Sequence, residues 1–333
     1  MKTGRIPENV LKRSVLKQIK PNNDIVLRGA AVGADCAFIR MGQDVCAAAQ
    51  GSTFYEKRHA VSHAMHKAAN NLAAGGAVVR AFELHLMLPE DTSEPDLKQM
   101  MAEAQETAVT LNAAISGGHT EVLPAIQNPV VSVTALGFVP EGMQTKKEVR
   151  IGQDIVMTKW IGLSGTSYLA NEREAELLKK YPAYFIKDAQ ALEQYYSVIP
   201  EAATAIKSGV SAMHDVSSGG VFGALWELGE HAGVGLTISL KKIPVKQETI
   251  EVCEFFDLNP YEFSSDGAML MIADDGYALT EALSREGIAA QVIGNVTAGR
   301  DKVIINEEEK RFLEPPRTDE IYKIRDIFER SQL

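Results

Sequence analysis

Four short segments of the chain combine glycines with polar side chains at points where the hydrophobic pattern changes. Glycines let backbone N–H groups approach an anion, and carboxylates beside them can hold the Mg²⁺ that accompanies a phosphate. Each segment alone is typical of an ordinary turn, and the absence of Walker A and GxGxxG motifs argues against a P-loop or Rossmann site. The segments are Gly33-Ala34-Asp35-Cys36-Ala37, Asn70-Asn71-Leu72 with Gly75-Gly76-Ala77, Gly117-Gly118-His119-Thr120-Glu121, and Asp215-Val216-Ser217-Ser218-Gly219-Gly220.

The histidines form a second pattern that could carry chemistry. His59, His63 and His66 are spaced i, i+4 and i+7, which places them on one face of a predicted helix, and His85 and His119 follow in the same half of the chain. Imidazoles at this spacing can share a transition metal, although no glutamate base lies between them as in HExxH helices. The alternative is a polar or interface face of neutral histidines.

The first 20 residues are basic. Apolar residues recur there at helical spacing, which predicts an amphipathic helix. Its basic face is either simply solvated or a lid near an anionic ligand, and the sequence leaves both open. The cations are Lys2, Arg5, Lys12, Arg13, Lys17 and Lys20, against Glu8 as the one acid.

Short strands and helices alternate before residue 140. The pattern predicts a helix over His59–Ala74, a strand over Ala77–Leu88 and a helix over Glu94–Asn112, and it places a chain break at Gly117-Gly118. The strand Ala77–Leu88 alternates apolar with polar residues, so one of its faces meets water, a ligand or a partner subunit. Further strands are predicted over Ile25–Leu27, Ala37–Ile39, Val45–Ala48 and Val130–Val139.

The polar, glycine-containing segment Pro140–Gly152 predicts a domain boundary, which we place between residues 145 and 146. Strands and helices alternate again after it, and a glycine-interrupted loop, Asp215–Gly223, leads into a helix. Two domains, 1–145 and 146–333, of mixed α/β (α+β) architecture are therefore expected.

Composition excludes several classes of protein. The 333 residues include 34 Lys+Arg and 44 Asp+Glu, a formal charge of −10, which disfavours nucleic acid and anionic membranes as partners. Three cysteines without a CxxC motif argue against a disulfide scaffold. With neither a long apolar run nor a signal-peptide core, the sequence predicts a cytoplasmic protein.

The order and spacing of the four glycine segments are more specific than any one of them. Over nearly the whole chain they resemble the aminoimidazole ribonucleotide (AIR) synthetase, or PurM-like, superfamily, and most of all its hydrogenase-maturation branch and AIR synthase-related members. The motifs that carry the resemblance are VGADCAFI, AANNLAAGGA, ISGGHTEV, VTALGFV, IGQDIVMTKWIGLSGT, MHDVSSGGVFGALWELGEHAGVGL and VIGNVTAGRDKVII.

The resemblance implies a PurM-like two-domain fold that binds ATP and Mg²⁺ and transfers a phosphoryl group to an oxygen. It also implies a homodimer whose N-terminal sheets form a β-barrel. Asp35 and Asp215 match metal-binding positions, whereas Asn71 and His119 stand where many members have acids, and Ser218 replaces an arginine common in the hydrogenase-maturation branch. Backbone amides of four glycines would cradle phosphate, Asn71, His119 and Thr120 would orient it, and Gly33 is a further cofactor-binding residue; the four glycines are Gly117, Gly118, Gly219 and Gly220.

The carbamoyl dehydratases of this branch use a C-terminal cysteine, whereas this sequence ends Arg330-Ser331-Gln332-Leu333 and its last cysteine is Cys253. We therefore expect a different acceptor, an unknown small molecule or protein. Two alternatives are a nucleotide-binding maturation partner without turnover of its own and a histidine-based metal-binding protein.

Overall fold

The computed structural model describes residues 3–20, 24–54, 56, 58–140, 148–315 and 318–324. The proposed boundary between residues 145 and 146 lies outside the described residues, as do Lys2 and the four C-terminal residues discussed above. The domain division stays a prediction.

The first half builds a six-stranded sheet in the order β1-β2-β3-β6-β4-β5. β4 and β5 pair in parallel, and the other neighbours are antiparallel. The strands are β1 (Val26–Arg28), β2 (Ala37–Met41), β3 (Asp44–Thr53), β4 (Val78–Leu88), β5 (Ala114–Val122) and β6 (Val130–Phe138).

One face of this sheet is covered by helix α2 (Ala60–Ala74), which packs on β3 and β6. Its alanines at positions 60, 64 and 68 are buried, and such small side chains let a helix lie close to a sheet. α3 (Glu94–Thr110) packs beside α2 and begins with a capping box in which Ser93 and Asp96 bond reciprocally. The opposite face of the sheet carries the polar residues of β4.

The second half builds a seven-stranded sheet in the order β13-β12-β9-β11-β7-β10-β8. All neighbours are antiparallel except β12 and β9. The strands are β7 (Asp154–Thr158), β8 (Ala212–Val216), β9 (Gly235–Ser239), β10 (Ala268–Ala273), β11 (Ala290–Thr297), β12 (Lys302–Asn306) and β13 (Glu309–Phe312).

Helices surround the second sheet, and β10 between them is buried along its whole length. Together with the first sheet this confirms the two-domain α/β architecture. The remaining helices are α1 (Glu8–Ser14), α4 (Leu163–Glu172), α5 (Glu174–Leu177), α6 (Ala183–Gln190), α7 (Ile199–Lys207), α8 (Gly220–Ala232), α9 (Gln247–Phe255) and α10 (Gly276–Arg285).

Two predictions about glycine segments were wrong. Gly117-Gly118 does not break the chain but lies inside the nine-residue strand β5, because the backbone on both sides of it pairs with β4. Gly118 lets the two backbones approach, since a Cβ there would lie 1.9 Å from the Leu84 carbonyl oxygen. Asp215 likewise belongs to strand β8 rather than to a loop. Both strands depend on long-range pairing that a local pattern does not contain.

In the described part of the chain, no helix is both long and apolar enough to cross a membrane.

Replacing Gly51 by alanine will test the contact between α2 and β3. A Cβ at Gly51 would lie 2.3 Å from the Ala64 carbonyl oxygen and 2.5 Å from the Ala68 nitrogen, which are backbone atoms that cannot rotate away. We expect Gly51→Ala to lower the free energy of unfolding by about 1–3 kcal/mol. Gly117→Ala is the matched control, because a Cβ there has no neighbour within 4 Å. Urea denaturation measures the free energy of unfolding of both variants. Equal values would contradict the close contact between α2 and β3.

Candidate functional site

A cavity of about 770 Å³ lies between the two domains. The loop 29–37, Gln50 and Asn71 line it from the first domain, and β8 and α8 line it from the second. Of the residues predicted to bind a ligand, the cavity brings together Gly33, Asp35, Asn71 and Asp215.

Asp35 is held in the cavity wall by an ion pair across the domains. Both of its carboxylate oxygens lie 2.9 Å from Nδ1 of His214, whose Nε2 is 3.3 Å from Glu227. Burial opposes protonation of His214, but the carboxylates of Asp35 and Glu227 outweigh it and raise its pKa to about 10. His214 is therefore a cation at neutral pH, and it fixes Asp35 beside the second domain.

Gly33 makes this ion pair sterically possible. It has φ +71°, and a Cβ at this position would lie 2.4 Å from the carbonyl oxygen of Glu227 in α8. The loop and the helix can touch only because the side chain is absent. The structure thus explains Gly33 by close packing of two backbones, and the predicted contact with phosphate remains a prediction.

Asp215 is the unusual group in the cavity. Its side chain is buried, and neither carboxylate oxygen has a hydrogen-bond partner among the described residues. Burial, followed by the charges of Asp266 and Asp35, raises its pKa well above the ordinary value, although Lys67 and His214 act in the opposite direction. A buried carboxylate without a partner destabilises a fold, so the packing of the described residues does not account for Asp215.

Behind Asp215 lies a buried cluster of charges contributed by both domains. Lys67 of α2 donates to Asp266 at 2.8 Å, and Ser164 of α4 donates to the other oxygen of Asp266 at 2.7 Å. His63, one turn before Lys67, lies 3.2 Å from Asp266 and 2.5 Å from Glu56. Burial disfavours the ionised form of Asp266, but Lys67 and His63 outweigh it and hold its pKa far below the usual range.

These donors suit a hard divalent cation. Asp35 and Asp215 both line the cavity, and the carboxylate oxygens of Asp215 are buried and not engaged by the described protein atoms. Mg²⁺ is commonly bound by one or two carboxylates together with substrate phosphates and water. The residues present therefore fit the predicted magnesium ion, even though Asn71 is an amide whose Nδ2 donates to the Gln50 carbonyl at 2.9 Å.

The N-terminal segment closes one side of the cavity. Arg5 and Glu8 line it, Arg5 pairs with Glu227 at 2.7 Å, and Glu8 accepts from the indole of Trp226 at 2.7 Å. The basic residue Lys12 in turn pairs with Glu8 and, at 3.7 Å, with Glu230. The segment therefore lies against the cavity, as the lid interpretation requires. Its cations Arg5 and Lys12 each form an ion pair with a carboxylate.

Two domain models show where the chain belongs. The family described as AIR synthase related protein, N-terminal domain, matches residues 33–139, and the corresponding C-terminal domain matches residues 150–306. Together the two matches span most of the chain. The chain belongs to the AIR synthase related family.

Curated relatives of this AIR synthase related chain include hydrogenase-maturation proteins. A hydrogenase expression/formation protein of Methanocaldococcus jannaschii is 25% identical over 96% of this chain and 97% of its own length. The carbamoyl dehydratase HypE of Rhodobacter capsulatus is 27% identical over 69% of this chain and 67% of its own length.

Solved structures share the AIR synthase related fold. HypE from the HypE–HypF complex superposes with a TM-score of 0.73 at 18% identity, covering 92% of this chain and 99% of that one. HypE in complex with ATP superposes with a TM-score of 0.68 at 17% identity, covering 96% and 97%. At these identities the likeness establishes the fold.

The remaining predicted ligand-binding residues lie outside the cavity. Gly219 and Gly220 begin α8, but the Gly219 amide donates to Asp319 at 2.6 Å and the Gly220 amide donates to the Ser217 carbonyl at 3.1 Å. Residues 117–120 lie on β5, the far edge strand of the first sheet. The predicted contacts of Gly117, Gly118, His119, Thr120, Gly219 and Gly220 with a nucleotide remain predictions.

The structure divides the histidines that the sequence placed in one group. His59, His63 and His66 border a separate cavity of about 380 Å³ beside Tyr196. Burial, followed by the charge of His63, lowers the pKa of His66 to about 4, so it is neutral where His63 is charged. His85 and His119 lie together on the first sheet instead.

Sequence reasoning missed four charged residues of the site, namely Lys67, His214, Glu227 and Asp266. A signal existed for Lys67, because it lies one helical turn from both His63 and Asn71 and therefore on the same face. His214 precedes Asp215 directly, yet only the fold shows that it meets Asp35. Cys36 is buried, and burial followed by the charge of Asp35 raises its pKa to about 12, so this thiol acts as a small packing residue and not as a nucleophile.

The ion pairs of His63 predict a pH-dependent stability. Burial lowers its pKa, but Glu56 and Asp266 outweigh burial and raise it from 6.5 to about 9. A raised pKa means that the stabilisation is complete below pH 6.5 and is lost as the pH rises through about 9. We expect the advantage of the wild type over His63→Gln to shrink by about 3 kcal/mol between pH 6 and 9.5.

Urea denaturation at pH 6, 7.5 and 9.5 measures this difference. His66→Gln is the control from the same helix, because between pH 7.5 and 9.5 His66 is neutral in both the folded and the unfolded protein and its effect should not vary. A pH-independent effect of His63→Gln would show that His63 is neutral in the folded protein.

Proposed function

We propose that the protein binds ATP with Mg²⁺ in the cavity between its domains and transfers a phosphoryl group to an oxygen of an acceptor. The observation that carries the proposal is Asp215, a buried carboxylate that lines a cavity beside Asp35 and has no hydrogen-bond partner among the described residues. The ATP-bound HypE structure, which has the same fold, supports the choice of nucleotide.

The charges around the cavity explain why a cation is needed. Four acids, Glu8, Asp35, Asp215 and Glu227, line it against two cations, Arg5 and His214, and this excess of acids would repel the phosphates of a nucleotide. Bound Mg²⁺ supplies the positive charge that neutralises these phosphates. Asp35 and Asp215 would hold it, and the cation His214 fixes the orientation of Asp35 before any ligand arrives. Such catalysis depends on positioning and electrostatics, and therefore needs no nucleophile from the protein.

We further propose that neither Cys36 nor Cys253 of this chain is the acceptor. Of its three cysteines, Cys36 and Cys253 are buried, and burial raises the pKa of each to about 12. Thiols in this state are poor nucleophiles. The acceptor is instead a small molecule or a protein, and the HypE–HypF complex is an example of protein association in this fold.

The proposed assembly is a homodimer formed through the uncovered face of the first sheet. Val78 and Phe138 are each 38% exposed on this face, next to each other in the pairing of β4 with β6. Apolar side chains on an uncovered sheet are typical of an interface. Light scattering after gel filtration should give twice the chain mass, and Phe138→Glu should give monomers; a wild-type monomer would contradict this assembly.

Calorimetry with ATP tests the binding site. With Mg²⁺ we expect a dissociation constant in the micromolar to millimolar range, and a loss on the order of 10–100-fold in Asp215→Asn or Asp35→Asn. Asp91→Asn, an exposed acid outside the cavity, is the control and should bind like the wild type. Without nucleotide, Asp215→Asn should melt no lower than the wild type, because Asn keeps the shape of the side chain and removes a carboxyl group whose ionisation burial disfavours. No ATP binding by the wild type would overturn the proposal.

A measurement of phosphate release distinguishes the proposed enzyme from a nucleotide-binding maturation partner without turnover of its own. If the protein is a nucleotide-binding maturation partner, it will bind ATP but release no phosphate until another protein is added. Phosphate release by the isolated chain that disappears in Asp215→Asn would support the enzyme.

A further inference from the structure

A line of four charged side chains connects the N-terminal segment with Asp35 in the cavity. Nη1 of Arg5 donates to Oε1 of Glu227 at 2.7 Å, and Nε2 of His214 lies 3.3 Å from Oε2 of the same carboxylate. Nδ1 of His214 in turn lies 2.9 Å from Asp35. Positive and negative groups alternate along this line, and Arg5 is its outermost member.

We propose that Arg5 is a positioning residue of the nucleotide site, which acts on Asp35 through Glu227 and His214. The inference rests on the function proposed above, and it makes the N-terminal segment part of the binding site. Each link uses a different atom of the shared group. One oxygen of Glu227 contacts Arg5 and the other contacts His214, whose two ring nitrogens face Glu227 and Asp35. A rotation of either shared group therefore breaks contacts on both of its sides.

The line runs from the surface into the interior. The side chain of Arg5 is 39% exposed, that of Glu227 is 18% exposed and that of His214 is 5% exposed. Water screens ion pairs at a surface, and their attraction increases as the groups leave water. Burial raises the pKa of Glu227, but His214 and Arg5 outweigh burial and lower this pKa to about 2. Arg5 therefore acts on a charged carboxylate that is largely removed from solvent.

The loss of Arg5 changes how Glu227 is held. Among the described residues, Glu227 would then keep His214 as its one ion-pair partner, and its carboxylate would be free to rotate. The imidazole of His214 would no longer be fixed in the orientation that presents Nδ1 to Asp35. Contacts behind a metal ligand matter because a ligand that is not held in place binds its metal less tightly.

The backbone on both sides of Arg5 is anchored to the second domain. The carbonyl of Thr3 accepts a hydrogen bond from Oγ1 of Thr318 at 2.8 Å. The carboxylate of Glu8 accepts one from the indole nitrogen of Trp226 at 2.7 Å. Groups that are ordered before binding lose less conformational entropy when a ligand arrives. These anchors therefore let Arg5 act as a fixed part of the site.

Calorimetry of the full-length protein with ATP at a series of Mg²⁺ concentrations tests this role. In Arg5→Gln we expect the Mg²⁺ concentration for half-maximal binding to rise about fivefold, less than the roughly 10–100-fold effect of losing a direct partner of a metal ligand. Arg5→Lys keeps the charge and should recover most of the loss. The matched control is Lys12→Gln, which removes a cation of the same segment whose partners are Glu8 and Glu230, and it should bind like the wild type.

Two comparisons distinguish positioning through Glu227 from a direct contact between Arg5 and the nucleotide. Glu227→Gln should by itself weaken the Mg²⁺-dependent binding, and adding Arg5→Gln to it should have no further effect. ATP affinity with a chelator in place of Mg²⁺ should be equal in Arg5→Gln and Lys12→Gln, which remove the same charge. A contact of Arg5 with phosphate would instead lower the affinity of Arg5→Gln alone.

The connection between Arg5 and Asp35 is also measurable without nucleotide. Arg5→Gln should lower the urea midpoint of the wild type more than that of Asp35→Asn, in which the inner end of the line has already lost its charge. If the wild type binds no ATP, the proposed function is wrong, and these midpoints still decide whether the two residues are coupled. The inference is overturned if the midpoint effects add in full, or if the wild type and Arg5→Gln bind ATP with the same Mg²⁺ dependence.

Discussion

The buried carboxylate of Asp266 is the interaction on which the relation between the domains depends. It has no exposure to solvent, and its charge is balanced by Lys67 and His63 from a helix of the other domain. A buried charge that loses its partner costs about 3–5 kcal/mol, so the helix cannot move away from Asp266 without a large loss of stability. This constraint sets the position of α2, and with it that of Asn71 one turn further along.

A second ion pair, between Asp35 and His214, fixes the other side of the cavity. Most of the buried charges in this region are therefore neutralised by a partner on the opposite domain. Asp215 is the exception among the described residues, because it lies between these pairs and accepts no hydrogen bond. Evolution commonly retains such a destabilising group where a ligand supplies the missing interaction. Neighbouring carboxylates thus differ in role: Asp35 and Asp266 hold the domains together, and the proposed binding chemistry rests on Asp215.

The histidines show how strongly environment determines chemistry. His63 and His66 lie one turn apart on the same helix, yet carboxylates raise the pKa of the first and burial lowers that of the second. His85 and His119 are far apart in sequence but are neighbours across two strands. The helical spacing of His59, His63 and His66 predicted their common face correctly, but it could not indicate which of them would be occupied by an acid.

The sequence by itself determined most of the elements and the fold family. Helix α2 and strand β4 were predicted within one residue at each end, because hydrophobic periodicity is a local property. Only the tertiary structure decided that Gly117-Gly118 belong to a strand and that Gly33 packs against α8. It also decided which carboxylates form an ion pair with a cation, and that Asp215 has no hydrogen-bond partner among the described residues. Burial and charge pairing join residues as distant as Asp35 and His214, and the local pattern of a chain carries no record of such distant contacts.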